Sequence, residues 1–231
     1  LHLPKDILIY HRQTLIPLLF AYDVIHGFRT VYPISIAQAC SFNTNLVNEA
    51  ARMAAAEATA SGLNWTFSPM VDVARDPRWG RVSEGYGEDP FVNSAFCVAT
   101  VKGYQGEDLT APDTLAACLK HYVGYSESMA GLDYAYTDIS DRSMWETYLR
   151  RFKAGVDTYD TTVMSGFNDI NGVPAVCNTF YLKDVLRKRW GFDGAVVSDW
   201  GAIQQLKNQG FSSAPLIGGV AAVKRGNDID M

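Results

Sequence analysis

An aspartate that follows a short apolar run is the residue best suited to covalent chemistry. Asp199 comes directly after Ala195-Val196-Val197-Ser198, which is a β-rich run, and Trp200 follows it. A carboxylate at the carboxyl end of a buried strand can point into a site, and an adjacent indole ring can stack on the apolar face of a sugar ring. An aspartate in this position could equally cap the next helix. The local sequence therefore leaves two interpretations of Asp199, a nucleophile and a helix cap.

Two further segments carry clusters of charged residues. Lys120-His121 ends another apolar run, where both side chains would enter or flank a site as hydrogen-bond donors. Between residues 75 and 90, three arginines and four acids are interleaved with Trp79, Tyr86 and three glycines. This mixture predicts a structured loop held by arginine–carboxylate pairs, from which one or two arginines can reach a ligand.

Composition and missing motifs exclude several classes of function. The net charge of −5 argues against a nucleic-acid-binding face, and no apolar run reaches the roughly 18 residues that span a bilayer. His26 and His121 have no partner at metal-ligand spacing, and neither a GxSxG nor a GxGxxG motif occurs. We therefore expect no metal and no cofactor. The four widely spaced cysteines are expected to be buried free thiols.

Six short apolar runs alternate along the chain with longer segments of helical period. Runs without polar–apolar alternation are typical of strands buried on both faces. The order predicts an α/β fold of parallel strands joined by right-handed crossovers. The predicted strands are 17–22, 64–70, 115–119, 161–165, 194–198 and 228–231.

Four helices are predicted between these strands. The first, 44–61, presents Leu46, Val47, Ala50, Ala51, Ala54 and Ala58 on one face and stops before Gly62. The second begins at Asp89-Pro90, with proline in the first helical position. The others are 140–153, capped by Ser140, and 178–190, capped by Asn178 and ended by Gly191. Residues 1–14 carry no clear periodicity.

The positions of polar residues decide between an open sheet and a barrel. An open doubly wound sheet concentrates functional residues at one switch point, whereas a (β/α)8 barrel gathers them from all strand ends. Five consecutive predicted strands end in polar residues, which favours a TIM-type barrel. Because about six strands are visible, the barrel is expected to be incomplete. The strand-end residues are Asp23 and His26, Asp72 and Arg75, Lys120 and His121, Asn168 and Asp169, and Asp199.

Several long motifs, in one order, resemble a known family. From about residue 15 onward the chain is similar to the N-terminal barrel domain of glycoside hydrolase family 3, particularly its bacterial periplasmic β-glucosidases. The motifs are 17–27 (PLLFAYDVIHG), 75–81 (RDPRWGR), 87–90 (GEDP), 120–122 (KHY), 167–172 (FNDING) and 196–200 (VVSDW).

The resemblance implies a retaining double displacement with Asp199 as the nucleophile. Such an enzyme needs two carboxyl groups about 5–5.5 Å apart, one as nucleophile and one as acid/base. Phe167 stands where the family often has a tyrosine, and it lacks the hydroxyl. The residues that the resemblance assigns to substrate binding are Asp23, Arg81, Lys120, His121, Phe167 and Trp200.

Two departures from the family pattern qualify these expectations. The run Ala130-Gly131-Leu132-Asp133-Tyr134 has Leu132 where many relatives have an arginine, which affects expected affinity or specificity. The family acid/base is usually a glutamate of a following α/β sandwich domain, which these residues do not include. Glu84 and Glu88 are interpreted as loop anchors and not as the acid/base. Residues 1–231 are thus expected to be a single truncated barrel domain and, alone, a weak catalyst, since a general acid contributes roughly 10²–10⁴-fold.

The leading functional hypothesis is an exo-acting β-glucosidase that releases terminal β-D-glucose from oligosaccharides or glucosides, in the periplasm or outside the cell. Its expected partner is carbohydrate, not nucleic acid or membrane. A β-xylosidase of the same family and a noncatalytic sugar-binding barrel are the alternatives. A β-N-acetylhexosaminidase is less favoured, because residues 120–125 (KHYVGY) lack the second histidine of those relatives.

Overall fold

A computed structural model of the chain describes residues 18–231. The predicted start of the first strand at Pro17 and the predictions for residues 1–14 lie outside this range. No helix among the described residues is long and apolar enough to cross a membrane.

The principal strands are parallel and follow one another in chain order. β1 (Ala21–Tyr22) pairs with β2 (Trp65–Thr66), and β3 (Cys118–Tyr122) pairs with β4 (Thr162–Ser165), which pairs with β7 (Val196–Ser198). A single parallel bridge from Trp65 to Ala116 connects β2 to the chain just before β3, and another from Val197 to Ile229 extends the array beyond β7. The predicted α/β fold of parallel strands is therefore confirmed, although the strands are shorter than the apolar runs suggested.

Closure of this array into a barrel stays a prediction. Within residues 18–231 no backbone bridge joins Ile229 to β1. The predicted strand 228–231 is present only as the single bridge at Ile229.

A small antiparallel hairpin, which the strand prediction missed, follows β4. It consists of β5 (Asp169–Ile170) and β6 (Val173–Pro174). Asn171 and Gly172 form its turn with φ values of 51° and 85°, the left-handed conformations that an Asn-Gly turn adopts. The Asn-Gly pair was therefore a usable signal in the sequence.

The first two predicted helices are present with small differences. α2 (Thr44–Thr59) ends two residues earlier than predicted, and α3 (Pro90–Gln105) starts at its proline. The Asp89 carboxylate accepts a hydrogen bond from the Val92 amide at 2.8 Å, as expected of an N-cap. A short helix, α1 (Ser35–Ala39), precedes them and was not predicted.

The later helices depart further from prediction. The predicted helix 140–153 is a succession of three stretches, Asp141–Ser143, Met144–Tyr148 with π geometry and Arg150–Val156, together called α4. The predicted helix 178–190 is a π-helix, α5 (Phe180–Arg189). Side-chain periodicity does not encode this wider turn. α6 (Pro215–Arg225) was not predicted.

Two burial predictions are wrong. The sequence places Leu46 on the apolar face of α2, but this residue, in the first turn of the helix, is exposed. Cys40 is exposed, whereas Cys97, Cys118 and Cys177 are buried; all four are free thiols.

Replacing Gly103 with alanine should destabilise the fold where α3 meets α2. A Cβ at this position would lie 2.4 Å from the Asn48 carbonyl oxygen and 2.6 Å from the Ala51 Cβ, so the helices would have to separate. Overpacking of this kind costs about 1–3 kcal/mol of unfolding free energy, which urea denaturation measures.

The matched control is Gly219→Ala in α6. A Cβ there has no heavy atom within 4 Å, and the helix propensity of alanine should raise stability by about 0.5–1 kcal/mol. Equal effects of the two substitutions would contradict the close-approach argument.

Candidate active site

The carboxyl ends of β3 and β7 bring His121 and Asp199 together. β4 lies between these two strands, and its end continues into Gly166. A Cβ on Gly166 would lie 2.8 Å from Oδ1 of Asn168 and 3.4 Å from the Cβ of His121, so the glycine lets both side chains pack against this strand end. The His121 Nε2 atom lies 3.2 Å from Oδ2 of Asp199. Polar residues of strands that are not adjacent thus meet over the end of the strand between them.

The two carboxylate oxygens of Asp199 have different surroundings. Oδ1 accepts a hydrogen bond from the Trp200 amide at 2.7 Å, whereas Oδ2 has no hydrogen-bond partner among the described residues. Although His121 Nε2 is close to Oδ2, the contact lacks hydrogen-bond geometry. The residue is 8% exposed. Oδ1 is held by a backbone amide, and Oδ2 is buried beside His121.

The helix-cap interpretation of Asp199 finds no support in this geometry. An N-cap carboxylate accepts from the amide two or three residues further on, but Asp199 accepts from the next residue. The next α-helix, α6, starts only at Pro215.

A buried carboxylate from the loop after β2 holds His121 from the other side. Asp72 Oδ2 is 2.9 Å from the His121 backbone nitrogen, which donates to it, and 2.8 Å from Nδ1. Burial by itself raises the pKa of Asp72, but the hydrogen bonds from His121 and the charge of Arg151 outweigh burial and hold the pKa below its ordinary value. Asp72 is therefore an ionised group inside the protein.

Arg151 of α4 is a fully buried cation behind Asp72. Its Nη2 atom lies 3.7 Å from Oδ1 of Asp72, and Nη1 donates to the Thr147 carbonyl oxygen at 2.8 Å. Burial lowers the pKa of Arg151 to about 10, against the opposing effect of the Asp72 charge. The guanidinium also lies over the rings of Tyr148 and Phe152. The sequence marks Asp72 only as a strand-end acid and gives no signal for Arg151.

Lys120 and Asp23 form an ion pair beside this cluster. The Lys120 ammonium donates to Oδ1 of Asp23 at 2.6 Å. Lys120 is 3% exposed, whereas the Asp23 side chain is 54% exposed. The pair therefore joins an interior cation to a carboxylate that faces solvent.

The charge of Arg81 interacts with that of Asp199, but the Arg81 side chain is hydrogen-bonded to Glu84. Its Nε and Nη2 atoms donate to the two Glu84 oxygens at 2.6 and 2.9 Å. Burial lowers the pKa of Arg81, but Glu84, Tyr125 and Asp199 together hold that pKa above its ordinary value. This pair agrees with the predicted role of Glu84 as a loop anchor. The nearby Arg78–Asp76 pair agrees with the prediction of a loop held by arginine–carboxylate pairs.

Aromatic rings form one wall next to His121. The Tyr125 ring packs edge-on against His121 and Trp79, with centroids 5.1 and 5.3 Å away. Phe167 packs against Tyr125 at 5.6 Å and against Tyr134 at 4.8 Å. Trp200, in contrast, is 76% exposed. Phe167 is thus fixed in a cluster, and Trp200 presents its ring to solvent.

Other strand-end residues have structural roles. The Asn168 amide donates to the Val123 carbonyl oxygen and the Thr137 hydroxyl, which ties the hairpin to the loop after β3. His26 Nδ1 contacts the Tyr32 carbonyl oxygen at 3.0 Å.

Within residues 18–231, no three His, Cys, Asp or Glu side chains form a group that could hold a metal ion.

Comparison with known proteins relates this site to one enzyme family. Residues 5–231 match the glycosyl hydrolase family 3 N-terminal domain. The chain is 44% identical to the periplasmic beta-glucosidase of Salmonella typhimurium, over 94% of the chain and 28% of the relative. It is 39% identical to a beta-xylosidase of Formosa agariphila, over 89% of the chain and 29% of the relative.

Solved structures show the same relationship. The crystal structure of a beta-glucosidase from Listeria innocua superposes with a TM-score of 0.93 at 41% identity, covering 98% of this chain and 32% of the other. The complex of that enzyme with glucose superposes with a TM-score of 0.92. The chain spans about a third or less of the length of these relatives. By sequence and by structure, it belongs to glycoside hydrolase family 3 and corresponds to the N-terminal domain of that family.

Proposed function

We propose that this chain forms the nucleophile-bearing part of a retaining, exo-acting β-glycoside hydrolase of the β-glucosidase type. The observation that carries the proposal is the Asp199 carboxylate, with Oδ1 held by an amide and Oδ2 without a hydrogen-bond partner among residues 18–231. Around it lie the groups that a sugar ring needs, namely charged donors, acceptors and an aromatic wall.

In the proposed reaction, the carboxylate of Asp199 attacks the anomeric carbon of a terminal β-glycoside. The bond to the leaving oxygen breaks, and that oxygen takes a proton from a general acid. The product is an α-linked glycosyl ester on Asp199. Water then attacks the same carbon, gives up a proton to the conjugate base and returns the bonding electron pair to the carboxylate. We expect the general acid in the part of the full-length protein that these residues do not include.

The sugar-binding roles follow from the charges near Asp199. Asp23 is an exposed acceptor for sugar hydroxyls, and Lys120 is a buried donor next to it. Arg81, already bound to Glu84, can donate through its remaining N–H groups. Such contacts fix the anomeric carbon for attack and strengthen as charge develops there.

The aromatic residues shape the same subsite. Phe167 offers an apolar surface where a tyrosine would add a hydroxyl, and its place beside Tyr125 and Tyr134 is fixed by packing. Trp200, with its exposed ring, suits stacking on the apolar face of a bound sugar. Localisation in the periplasm or outside the cell is proposed on the name of the Salmonella relative.

A β-xylosidase is the second candidate, since a relative of that name is 39% identical to this chain. The two sugars differ by the hydroxymethyl group of glucose. A comparison of matched gluco- and xylo-configured reagents will distinguish these candidates.

The proposal is tested by trapping the ester with 2,4-dinitrophenyl 2-deoxy-2-fluoro-β-D-glucoside. Its leaving group departs without a general acid, so the reagent reports on Asp199 even where the acid is absent. We expect the protein mass to rise by one fluoroglucosyl unit and peptide mapping to place the unit on Asp199. Faster labelling by the xylo reagent would favour the second candidate. Reversible binding without a covalent product would overturn the proposal and favour a sugar-binding barrel.

A further inference from the structure

We infer that Tyr134 is a further sugar-contacting residue of the site and that Asp133 is the positioning residue that holds it there. This inference rests on the proposed function, because it adds a contact to the same sugar site. Its basis is an aromatic ring that packs over Phe167, remains half exposed and is carried by a backbone conformation that tyrosine rarely adopts.

Phe167 itself has little surface left for a ligand, since it is only 6% exposed. The Tyr134 ring packs against it in a T-shaped arrangement, with centroids 4.8 Å apart, and is 55% exposed. The aromatic surface that reaches solvent beside Phe167 is therefore that of Tyr134, which also carries a hydroxyl group. An exposed tyrosine can pack its ring against the apolar face of a sugar and form hydrogen bonds with the sugar hydroxyls.

The other aromatic neighbour of Tyr134 places it on the side of the sugar-binding groups. This neighbour is Tyr125, whose ring centroid is 6.4 Å away. The Tyr125 ring contacts the imidazole of His121 at 5.1 Å and lies beneath the guanidinium of Arg81 at 5.7 Å. Both of these residues are expected to bind the sugar. We therefore assign Tyr134 to the sugar and not to the leaving group.

The backbone at Tyr134 lies in the left-handed region, with a φ of 64°. Ala130 and Gly131 of the same loop have φ values of 58° and 70°. Residues other than glycine that are held in this region cluster at functional and ligand-binding sites. Glycine would adopt this φ at a lower cost, so the fold alone does not favour a tyrosine at position 134.

The Asp133 carboxylate holds this conformation in place. Its Oδ1 atom accepts hydrogen bonds from the Tyr134 amide at 3.2 Å, from the Trp79 indole at 3.0 Å and from the Tyr125 hydroxyl. Trp79 and Tyr125 are buried, so their two hydrogen bonds tie an exposed loop to the core beside His121. Asp133 thus fixes the place of Tyr134 relative to Tyr125.

The concentration dependence of trapping tests the sugar contact. With 2,4-dinitrophenyl 2-deoxy-2-fluoro-β-D-glucoside, Tyr134→Ala should raise the half-saturating concentration by about 3- to 10-fold, the size of one aromatic contact. The limiting rate of labelling should change by less than about twofold, because Asp199 is unaltered. With 2-deoxy-2-fluoro-β-D-glucosyl fluoride we expect the same rise, since the two reagents share the sugar. A rise confined to the dinitrophenyl reagent would place Tyr134 at the leaving group and overturn the inference.

Two further substitutions separate binding from folding. Tyr134→Gly relieves the left-handed φ, so it should unfold thermally at or above the temperature of Tyr134→Ala and still show the same rise in half-saturating concentration. Asp133→Asn retains an acceptor oxygen for the three donors and should label like the parent protein. Asp133→Ala lacks that oxygen and should reproduce the rise seen in Tyr134→Ala.

Tyr136→Ala is the matched control. Tyr136 lies in the same loop and is also 55% exposed, but its ring packs against no other aromatic ring within residues 18–231. It should label like the parent protein. A parental half-saturating concentration in Tyr134→Ala, or an equal rise in Tyr136→Ala, would overturn the inference. If the parent protein is not labelled at all, the proposed chemistry fails instead, and calorimetric binding of glucose then tests Tyr134 by the same comparison of variants.

Discussion

Replacing Asp199 with asparagine should reduce turnover of 2,4-dinitrophenyl β-D-glucoside by about 10⁴-fold or more, the order of loss when a nucleophile is removed. Asparagine has nearly the shape of aspartate, and its oxygen can still accept from the Trp200 amide at the position of Oδ1. The loss would therefore report chemistry rather than folding. Release of dinitrophenolate measures the rate, and thermal unfolding checks that stability is retained.

Asp230→Asn is the matched control for that substitution. Asp230 lies beside the same strand end, with Oδ1 3.3 Å from the Ser198 hydroxyl, but its side chain is exposed and takes no part in the proposed chemistry. The control should keep close to parental activity. An equal loss in both variants would contradict the assignment of Asp199.

Chemical rescue makes the assignment of Asp199 more specific. In Asp199→Gly, azide can occupy the space of the carboxylate, attack the anomeric carbon and expel dinitrophenolate. The product should be the α-glucosyl azide, because the attack comes from the face that Asp199 occupied. A β-configured azide, or no rescue, would argue that another group is the nucleophile.

Convergence of the strand ends could be predicted because it depends on topology alone. Once strands are parallel and neighbouring, their carboxyl ends lie at one edge of the sheet. Lys120, His121 and Asp199 could therefore be expected to meet without any knowledge of side-chain positions. The family motifs selected these residues from the other polar strand ends, such as Asn168, whose amide binds backbone instead.

The contact between Asp72 and His121 was not predictable in the same way. It depends on the path of the chain after β2, where a single bridge joins Met70 to Lys120 and residue 72 reaches the backbone and ring of residue 121. An acid between the apolar residues Val71 and Val73 was nevertheless a usable signal. A buried ionised group needs a partner, and Asp72 follows a strand whose end faces the site.

Arg151 was hidden by the helical pattern. It lies on the buried face of α4 with Tyr148, Phe152 and Gly155. In an amphipathic helix, a charged residue among apolar ones is normally interpreted as belonging to the solvent-facing side. The π-helical turn just before it also shifts the face that each residue presents, and residue spacing does not reveal such a turn.

Leu132 shows where a departure from the family pattern lies in the structure. The side chain is 64% exposed, in the loop after β3 whose Asp133 accepts from the Trp79 indole at 3.0 Å. The loop is thus anchored by Asp133 without help from residue 132.

Replacing Asp72 with alanine should destabilise the protein by about 3–5 kcal/mol, the usual cost of removing one partner from a buried ion pair. The substitution leaves the Arg151 charge fully buried, where burial already lowers its pKa to about 10 even with Asp72 present. It also removes the acceptor of two hydrogen bonds from His121. Urea denaturation measures the change in the free energy of unfolding.

The double variant Asp72→Ala with Arg151→Met distinguishes the charge from the hydrogen bonds. Methionine is apolar and flexible enough to fill the space of the guanidinium stem between Tyr148 and Phe152. Removing both charges should recover most of the stability lost in Asp72→Ala, because apolar replacement of a whole buried pair is often neutral. Asp72→Ala and its double variant would be equally unstable if the loss came only from the hydrogen bonds to His121.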